Sequence, residues 1–160
     1  MSRDQSIEAL QKKLRILEDK DELTALMNKY CNVSDTFDYK GYGDCYHKDG
    51  TLAYEKFHTV TGRERLAEKA RTALERYQGL QHSMTNMQFE VDGDQATGSA
   101  NLICAATPDL SKPEVNFMFG GPYRWEFVRT EEGWRLWICR LSVVWTRGED
   151  TAGGFSDKDK

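Results

Sequence analysis

The sequence predicts an α+β fold in which helices cover one face of a curved, mixed or antiparallel sheet. Apolar residues recur at helical spacing through most of the chain before Gly79, and after it they follow the two-residue period of strands. Helices that precede a run of strands are typical of this fold class. A strongly curved sheet would leave a pocket between its concave face and the helices.

The composition indicates one globular domain. The chain has 160 residues, enough for a substantial core, and its 30% charged and 11% aromatic residues are typical of a folded, soluble protein. The net charge of −4 argues against a nucleic-acid partner. No apolar run reaches the roughly 18 residues of a membrane span, and the N-terminus lacks the apolar core of a signal peptide. We therefore expect a cytoplasmic protein with no membrane partner.

The four cysteines indicate no metal site. Cys31, Cys45, Cys104 and Cys139 are widely spaced, and no CxxC pair is present to hold zinc. We predict four buried thiols, with a reactive thiol as the alternative.

The N-terminal region predicts two helices, near residues 5–17 and 20–33. Leucines and isoleucines recur at helical spacing in the first, and Leu23, Leu26, Met27 and Tyr30 continue a similar face in the second. The acidic stretch 19–22 interrupts the apolar pattern and suits a helix start. Residues 1–19 are predicted to form a helical packing arm.

The remaining elements follow from changes of period and from turn residues. A short helix is predicted over 36–48, a turn at Asp49-Gly50, a strand over 51–59 and a helix over 63–77. Strands are predicted over 81–91, 95–107, 115–130 (broken near 120–122) and 134–145, with a hairpin turn at 92–94. The compact domain then spans 20–146, and the tail 147–160 is predicted to be flexible because it is rich in Gly, Asp and Lys.

The last predicted strand bears on whether the protein forms an oligomer. Alternating residues place Trp134, Leu136 and Ile138 on one face and Trp137, Cys139 and Leu141 on the other, so both faces are largely apolar. Helices on one side cover only one of them. We therefore expect a homo-oligomer, a dimer or trimer; the alternative is that the N-terminal arm folds over the second face.

Three residues form the central functional hypothesis. Tyr30 and Asp35 end the second helix, His82 opens a strand, and all three can move or donate protons. Residues five apart on an ideal helix lie about 140° apart, so Tyr30 and Asp35 converge only if the helix loosens near Ser34. The alternatives are a core tyrosine, a capping aspartate and a structural histidine.

Further residues are candidates for contact with a substrate. Arg140 on an apolar strand face needs a carboxylate or a substrate oxygen as partner. An aromatic stripe on the preceding strand supplies core residues, and those nearest the pocket could bind a flat, apolar small molecule. This stripe contains Phe117, Phe119, Tyr123, Trp125 and Phe127.

Several motifs resemble the SnoaL-like branch of the nuclear transport factor two-like superfamily. They are Lys29-Tyr30-x4-Asp35, Asp49-Gly50-Thr51-Leu52, Gln81-His82 and Gly133-Trp134, within a similarity that covers about residues 21–145. The resemblance implies a cone-shaped α+β barrel that encloses a pocket, and a dehydratase, cyclase or isomerase activity without metal or organic cofactor.

Two enzyme types within this branch give the site residues their implied roles. In the bile acid 7-alpha-dehydratase type, the tyrosine, aspartate and strand histidine map onto Tyr30, Asp35 and His82. In scytalone dehydratase the aspartate and histidine map onto the same two positions, and Tyr54 corresponds to a first-strand tyrosine. This chain departs from it at Ser34, Ala105 and Tyr123, which argues against scytalone as substrate.

The chemistry expected of this site is proton transfer on an apolar substrate. Dehydration of a β-hydroxy ketone needs a base for the Cα–H, an acid for the leaving hydroxyl and a donor for the enolate oxygen. The expected function is dehydration of a hydroxylated polycyclic or polyketide-like ketone. An isomerase or cyclase using the same groups, and a non-catalytic binding domain, are the alternatives.

Overall fold

The computed structural model describes residues 2–54 and 59–155 and confirms the α+β fold. Three helices and seven strands are present in this part of the chain, and the helices pack on one face of a curved, unclosed sheet. In chain order the elements are α1 (Arg3–Asp35), α2 (Tyr39–Asp44), β1 (Tyr46–Tyr54), β2 (Val60–Thr61), α3 (Arg63–Leu74), β3 (Gly79–Asp92), β4 (Gln95–Thr107), β5 (Phe117–Thr130), β6 (Gly133–Leu141) and β7 (Trp145–Arg147).

All the strands belong to one mixed sheet. The order is β2-β1-β6-β5-β4-β3, and β7 pairs with the first part of β5. Among the strands of the described residues, β1 and β6 alone pair in parallel, and the chain between them includes α3 and the long β3–β5 meander. The meander strands of 13 and 14 residues are long enough to curve around a core. Within the described residues, no helix is both long and apolar enough to cross a bilayer.

The predicted division of the N-terminal region into two helices is wrong. α1 is one helix of 33 residues, and a capping box between Ser2 and Gln5 satisfies its first amide groups. Asp19, expected to lie in the break, is buried instead. Its carboxylate accepts hydrogen bonds from Arg129 at 2.8 Å and from the Trp134 indole at 3.3 Å, which ties the middle of the helix to the sheet.

Asp49-Gly50 was predicted to form a turn and residues 120–122 to break a strand, but both sites lie inside strands. Gly50 lies within β1, where the pairing with β6 shifts, and a Cβ there would lie 2.8 Å from the Leu136 carbonyl. β5 runs unbroken through Gly120 and Gly121, and a Cβ on Gly121 would collide with the Ser142 carbonyl. These glycines permit close backbone approach rather than turns. Residues 55–58 of the predicted strand 51–59 lie outside the described residues.

The inference that both faces of the last strand are apolar is also wrong. Glu126 pairs with Ile138 and Phe127 pairs with Leu136, so Trp137 is an extra residue opposite β5, a β-bulge. Past the bulge the alternation is reversed, and the buried residues become Cys139 and Leu141. The outer face carries charged as well as apolar groups, so it no longer supports an interface. Homo-oligomerisation stays a prediction.

The C-terminal segment 148–155 belongs to the tail predicted to be flexible, and it makes specific contacts with the rest of the domain. The Asp150 carboxylate is buried, and it accepts hydrogen bonds from the Tyr77 hydroxyl at 2.5 Å and from the Gly153 and Phe155 amides at 2.9 Å. The Phe155 ring packs against Phe119, 4.7 Å between centroids. Residues 156–160 of the predicted tail lie outside the described residues.

Candidate active site

A largely apolar cavity lies between the sheet, α1, α3 and the C-terminal segment. Its volume is about 720 Å³ measured out to its mouth, which includes space open to solvent. Leucine, alanine, valine and phenylalanine side chains form most of the wall. The polar or charged side chains on the wall are Tyr30, Ser34, Tyr42, Tyr54, Lys69, His82 and Tyr123. A cavity with few polar groups on apolar walls is typical of a small-molecule site.

Asp35 holds His82 in a fixed orientation. The Asp35 carboxylate lies 2.6 Å from His82 Nδ1, and both of its oxygens accept the His82 backbone N–H, at 3.1 and 3.0 Å. Three contacts from one carboxylate fix both the backbone and the ring of the histidine. Asp38, rather than Asp35, caps α2, because its side chain accepts the Gly41 amide at 2.8 Å. The capping role considered for Asp35 is therefore filled by a neighbour.

The second nitrogen of His82 faces a cysteine. Nε2 lies 3.7 Å from the sulfur of Cys104, its partner across the β3–β4 ladder. Burial disfavours the imidazolium and lowers the pKa of His82, but Cys104 and Asp35 outweigh burial and raise this pKa to about 10. The proton affinity of the ring is therefore set by two neighbours, of which only Asp35 stands out in the sequence.

A cluster of buried phenols forms a second polar region. The Tyr30 hydroxyl lies 3.2 Å from that of Tyr42 and 3.4 Å from that of Tyr123, and Tyr42 lies 3.4 Å from Tyr46. Burial raises the pKa of Tyr42 to about 12 and those of Tyr30 and Tyr123 well above the usual value. These hydroxyls therefore keep their protons at neutral pH and can donate hydrogen bonds.

The three predicted catalytic residues are only partly brought together. Tyr30 and His82 both line the cavity, whereas Asp35 lies behind His82 and is not part of the cavity wall. α1 stays helical through Asp35, so the expected loosening near Ser34 does not occur; the Ser34 hydroxyl donates to the Tyr30 carbonyl at 2.8 Å, inside the helix. Asp35 thus acts on the cavity only through the imidazole.

The predicted substrate-binding residues divide into two groups. Tyr54, Phe119 and Tyr123 line the cavity. Trp125 does not, because it is buried one layer deeper, where it stacks on Tyr123 with 5.5 Å between ring centroids. Arg140 lies on the outer face and forms a 2.6 Å ion pair with Glu126, so the structural alternative fits it and substrate contact does not.

The cavity also has walls that sequence reasoning missed. Phe155 and Gly154 close one side, although they were assigned to a flexible tail. The α3 residues Lys69 and Ala73 form another part of the wall. Among cysteines, Cys45, Cys104 and Cys139 are buried as predicted, while Cys31 is only half-buried.

Similar solved structures share this fold. An NTF2-like protein with a cystatin-like fold from Novosphingobium aromaticivorans is 25% identical, with a TM-score of 0.73 over 89% of this chain and 92% of that one. A provisionally assigned scytalone dehydratase from the same species is 16% identical, with a TM-score of 0.75 over 83% and 89%.

Hexachlorocyclohexane dehydrochlorinase LinA-type3 from Novosphingobium barchaimii is also 16% identical, with a TM-score of 0.74 over 87% of this chain and 95% of that one. At such identities the likeness shows the fold alone. A search of curated proteins gives no significant match. The SnoaL-like domain model, however, matches residues 15–140, which include the helix bearing Asp35 and the strand bearing His82. This match confirms the resemblance seen in the motifs, and the chain belongs to the SnoaL-like family.

Proposed function

We propose that the protein is a cofactor-independent lyase that removes water from a hydroxylated, largely apolar ketone. The observation that carries this proposal is the 2.6 Å contact between His82 Nδ1 and Asp35, with the histidine on the wall of an apolar cavity. A histidine oriented by a carboxylate is suited to accept a proton on its other nitrogen. The names of two similar structures, a dehydratase and a dehydrochlorinase, describe eliminations and support the lyase class.

In the proposed reaction, His82 moves one proton. Neutral His82 accepts the Cα proton of a β-hydroxy ketone at Nε2, and the C–H electron pair forms an enolate. Asp35 stabilises the imidazolium through Nδ1–H. The enolate then expels the β-hydroxyl group as the imidazolium returns its proton to that oxygen, so water and an enone leave. Proton transfer by a positioned side chain contributes about 10²–10⁴-fold to such rates.

The phenol cluster is proposed to bind the ketone oxygen. Tyr30 and Tyr123 both line the cavity, and their hydroxyls lie 3.4 Å apart. Two neutral donors at this spacing can hydrogen-bond one oxygen, and they bind it more strongly as negative charge develops on the enolate. The apolar walls, including Phe119 and Phe155, suit a flat polycyclic or polyketide-like skeleton.

The test is a screen of bicyclic and tricyclic β-hydroxy ketones with the purified protein, read by mass spectrometry. We expect a product lighter by one water, and we expect His82→Gln to lower turnover by about 10³-fold. His47→Gln is the matched control, because His47 packs on Trp137 away from the cavity and its loss should leave turnover intact.

Other outcomes would redirect or reject the proposal. A product of unchanged mass, formed only when His82 is present, would identify an isomerase or cyclase that uses the same proton shuttle. Turnover that survives in His82→Gln would exclude the proposed mechanism. Tight binding of screened ketones without any product would identify a non-catalytic binding domain.

A further inference from the structure

The first half of α1 carries an apolar stripe that its own domain leaves uncovered. Residues 3–18, called the arm below, expose Ile7, Leu10, Leu14 and Leu17, with 43%, 65%, 57% and 63% of their surfaces accessible. These four residues follow a spacing of three and four, the heptad pattern of a coiled coil. We propose that the arm pairs, in parallel orientation, with the arm of a second copy of this chain.

Helix geometry places the stripe on the wrong side for burial within one subunit. At about 100° per residue, the centre of the stripe lies roughly 150° around the helix from the face that carries Leu23, Met27 and Tyr30. That second face is buried against the sheet. Asp19, which directly follows the arm, agrees with this orientation, because it is buried on the domain side against Arg129. The stripe therefore points away from the domain that follows it.

The charged residues beside the stripe indicate that it binds a second copy of the arm. With Ile7 and Leu14 at heptad position a and Leu10 and Leu17 at position d, Lys13 occupies g and Glu18 occupies e. In a parallel pair, a g residue faces the e residue five positions later on the other helix. Lys13 of each copy therefore faces Glu18 of the other, and two opposite-charge pairs form. Both side chains are exposed in the single subunit.

The antiparallel arrangement is less favourable. There e faces e and g faces g, so Glu18 would approach Asp4 of the second copy and Lys13 would approach another lysine. The seam also has a defined end. The next two a positions are Asp21 and Asn28, both exposed, so the paired region stops where each helix enters its own domain.

The proposed interface is small but preformed. Two heptads bury less area than the roughly 1,600 Å² of a standard interface, so association should depend on concentration. The helix need not nucleate on binding, because the arm is continuous with the buried half of α1 and begins at a capping box.

The first test is sedimentation of the full chain across a range of concentrations. We expect reversible self-association, with a dissociation constant that rises at least tenfold in Leu14→Asp and in Lys13→Glu. Lys12→Glu is the matched control: it makes the same charge change on the same helix, but position f faces away from the seam. The double variant Lys13→Glu with Glu18→Lys should restore association.

A second test fixes the orientation. Leu10→Cys should form a disulfide between two copies under mild oxidation, since equivalent d residues meet only in a parallel pair. Circular dichroism checks that each variant is folded. A chain that stays monomeric at every concentration, an oligomer unchanged by Leu14→Asp, or Leu10→Cys that fails to cross-link within a confirmed oligomer would each overturn the proposal.

Discussion

Two polar clusters face the same cavity, and they differ in charge and in access to water. The His82–Asp35 pair can carry charge, and 24% of the Asp35 side chain is exposed at the end of α1. The tyrosine cluster is uncharged and fully enclosed; Tyr30, Tyr42 and Tyr123 are each at most 6% exposed. The His82–Asp35 pair can therefore move protons, whereas the tyrosine cluster can donate hydrogen bonds while it keeps its protons.

Solvation explains why the two clusters are separate. A carboxylate at a helix end keeps contact with water, and its charge can stabilise a cation beside it. A phenol in an apolar interior cannot ionise, because burial raises its pKa, to about 12 for Tyr42. The arrangement places the charged step of the proposed elimination at a buried imidazole whose partner carboxylate, behind the cavity wall, keeps contact with water. The neutral donors lie where an enolate oxygen would gain most from them.

Among substitutions in the two clusters, replacement of the Asp35 carboxylate should have the largest effect on turnover and on the pKa of His82. In Asp35→Asn the imidazolium loses its negative partner, so one of the two contacts that raise the pKa of His82 is gone and this pKa falls. We expect turnover to fall by about 10²–10⁴-fold, since the wrong imidazole tautomer is no longer excluded. The measurements are ring-proton NMR titration of His82 and turnover of a substrate found in the screen.

The matched control for this variant is Asp44→Asn. Asp44 pairs with Lys40 on α2, away from the cavity wall, so its loss should change neither the His82 titration nor turnover. A wild-type titration curve for His82 in Asp35→Asn would show that Asp35 does not set its proton affinity, and the contrast between the two clusters would fail.

Periodicity predicted most of the fold but not which side of α1 is buried. The spacing of apolar residues predicts that α3 is a helix and that β3 to β6 are strands, and it gives their approximate ranges. In α1, both Leu10–Leu17 and Leu23–Tyr30 have helical spacing, and they were predicted to form two helices with similar apolar faces. They lie on opposite faces, because spacing within each segment does not fix the phase between the two. The two faces are distinguished in the structure, where Leu23 is buried and Leu14 is exposed.

The site could be predicted only in part, because one of its contacts depends on strand register. Asp35 and His82 stand out by residue type, but Cys104 depends on strand register. Counting back from the pairing of Asp92 with Gln95 places His82 opposite Ala105. A bulge near Asn86, which has a positive φ of 55°, shifts the register by one and brings Cys104 beside the imidazole. Asparagine tolerates a positive φ, but one asparagine within a strand pattern does not by itself predict a bulge.

Removing one phenol should have an intermediate effect. Tyr30→Phe deletes a donor that contacts both Tyr42 and Tyr123, so an enolate would be held by one hydroxyl less. We expect about a tenfold loss of turnover and a loss of about 1 kcal/mol in the free energy of unfolding. Denaturant titration and turnover measure the two effects.

Tyr39→Phe is the control for that variant, because Tyr39 is half-buried on α2 outside the cavity wall. It should retain full turnover. If Tyr30→Phe shifted the pH dependence of turnover as strongly as a histidine variant does, the cluster would take part in proton transfer, and the assignment of neutral donors would be wrong.

The smallest expected effect is a shift in pH dependence caused by Cys104. Neutral His82 is the proposed base, so kcat/KM should rise with pH until it approaches the histidine pKa of about 10. Burial lowers that pKa, while Cys104 and Asp35 raise it. Cys104→Ala removes one of the contacts that raise the pKa, and it should move the rise in kcat/KM to lower pH.

The matched control is Cys45→Ala, which deletes an equally buried thiol that has no contact with His82 and should leave the pH profile unchanged. A shift in both variants would indicate general loosening of the core, and a shift in neither would leave Asp35 as the only neighbour that sets the proton affinity of His82.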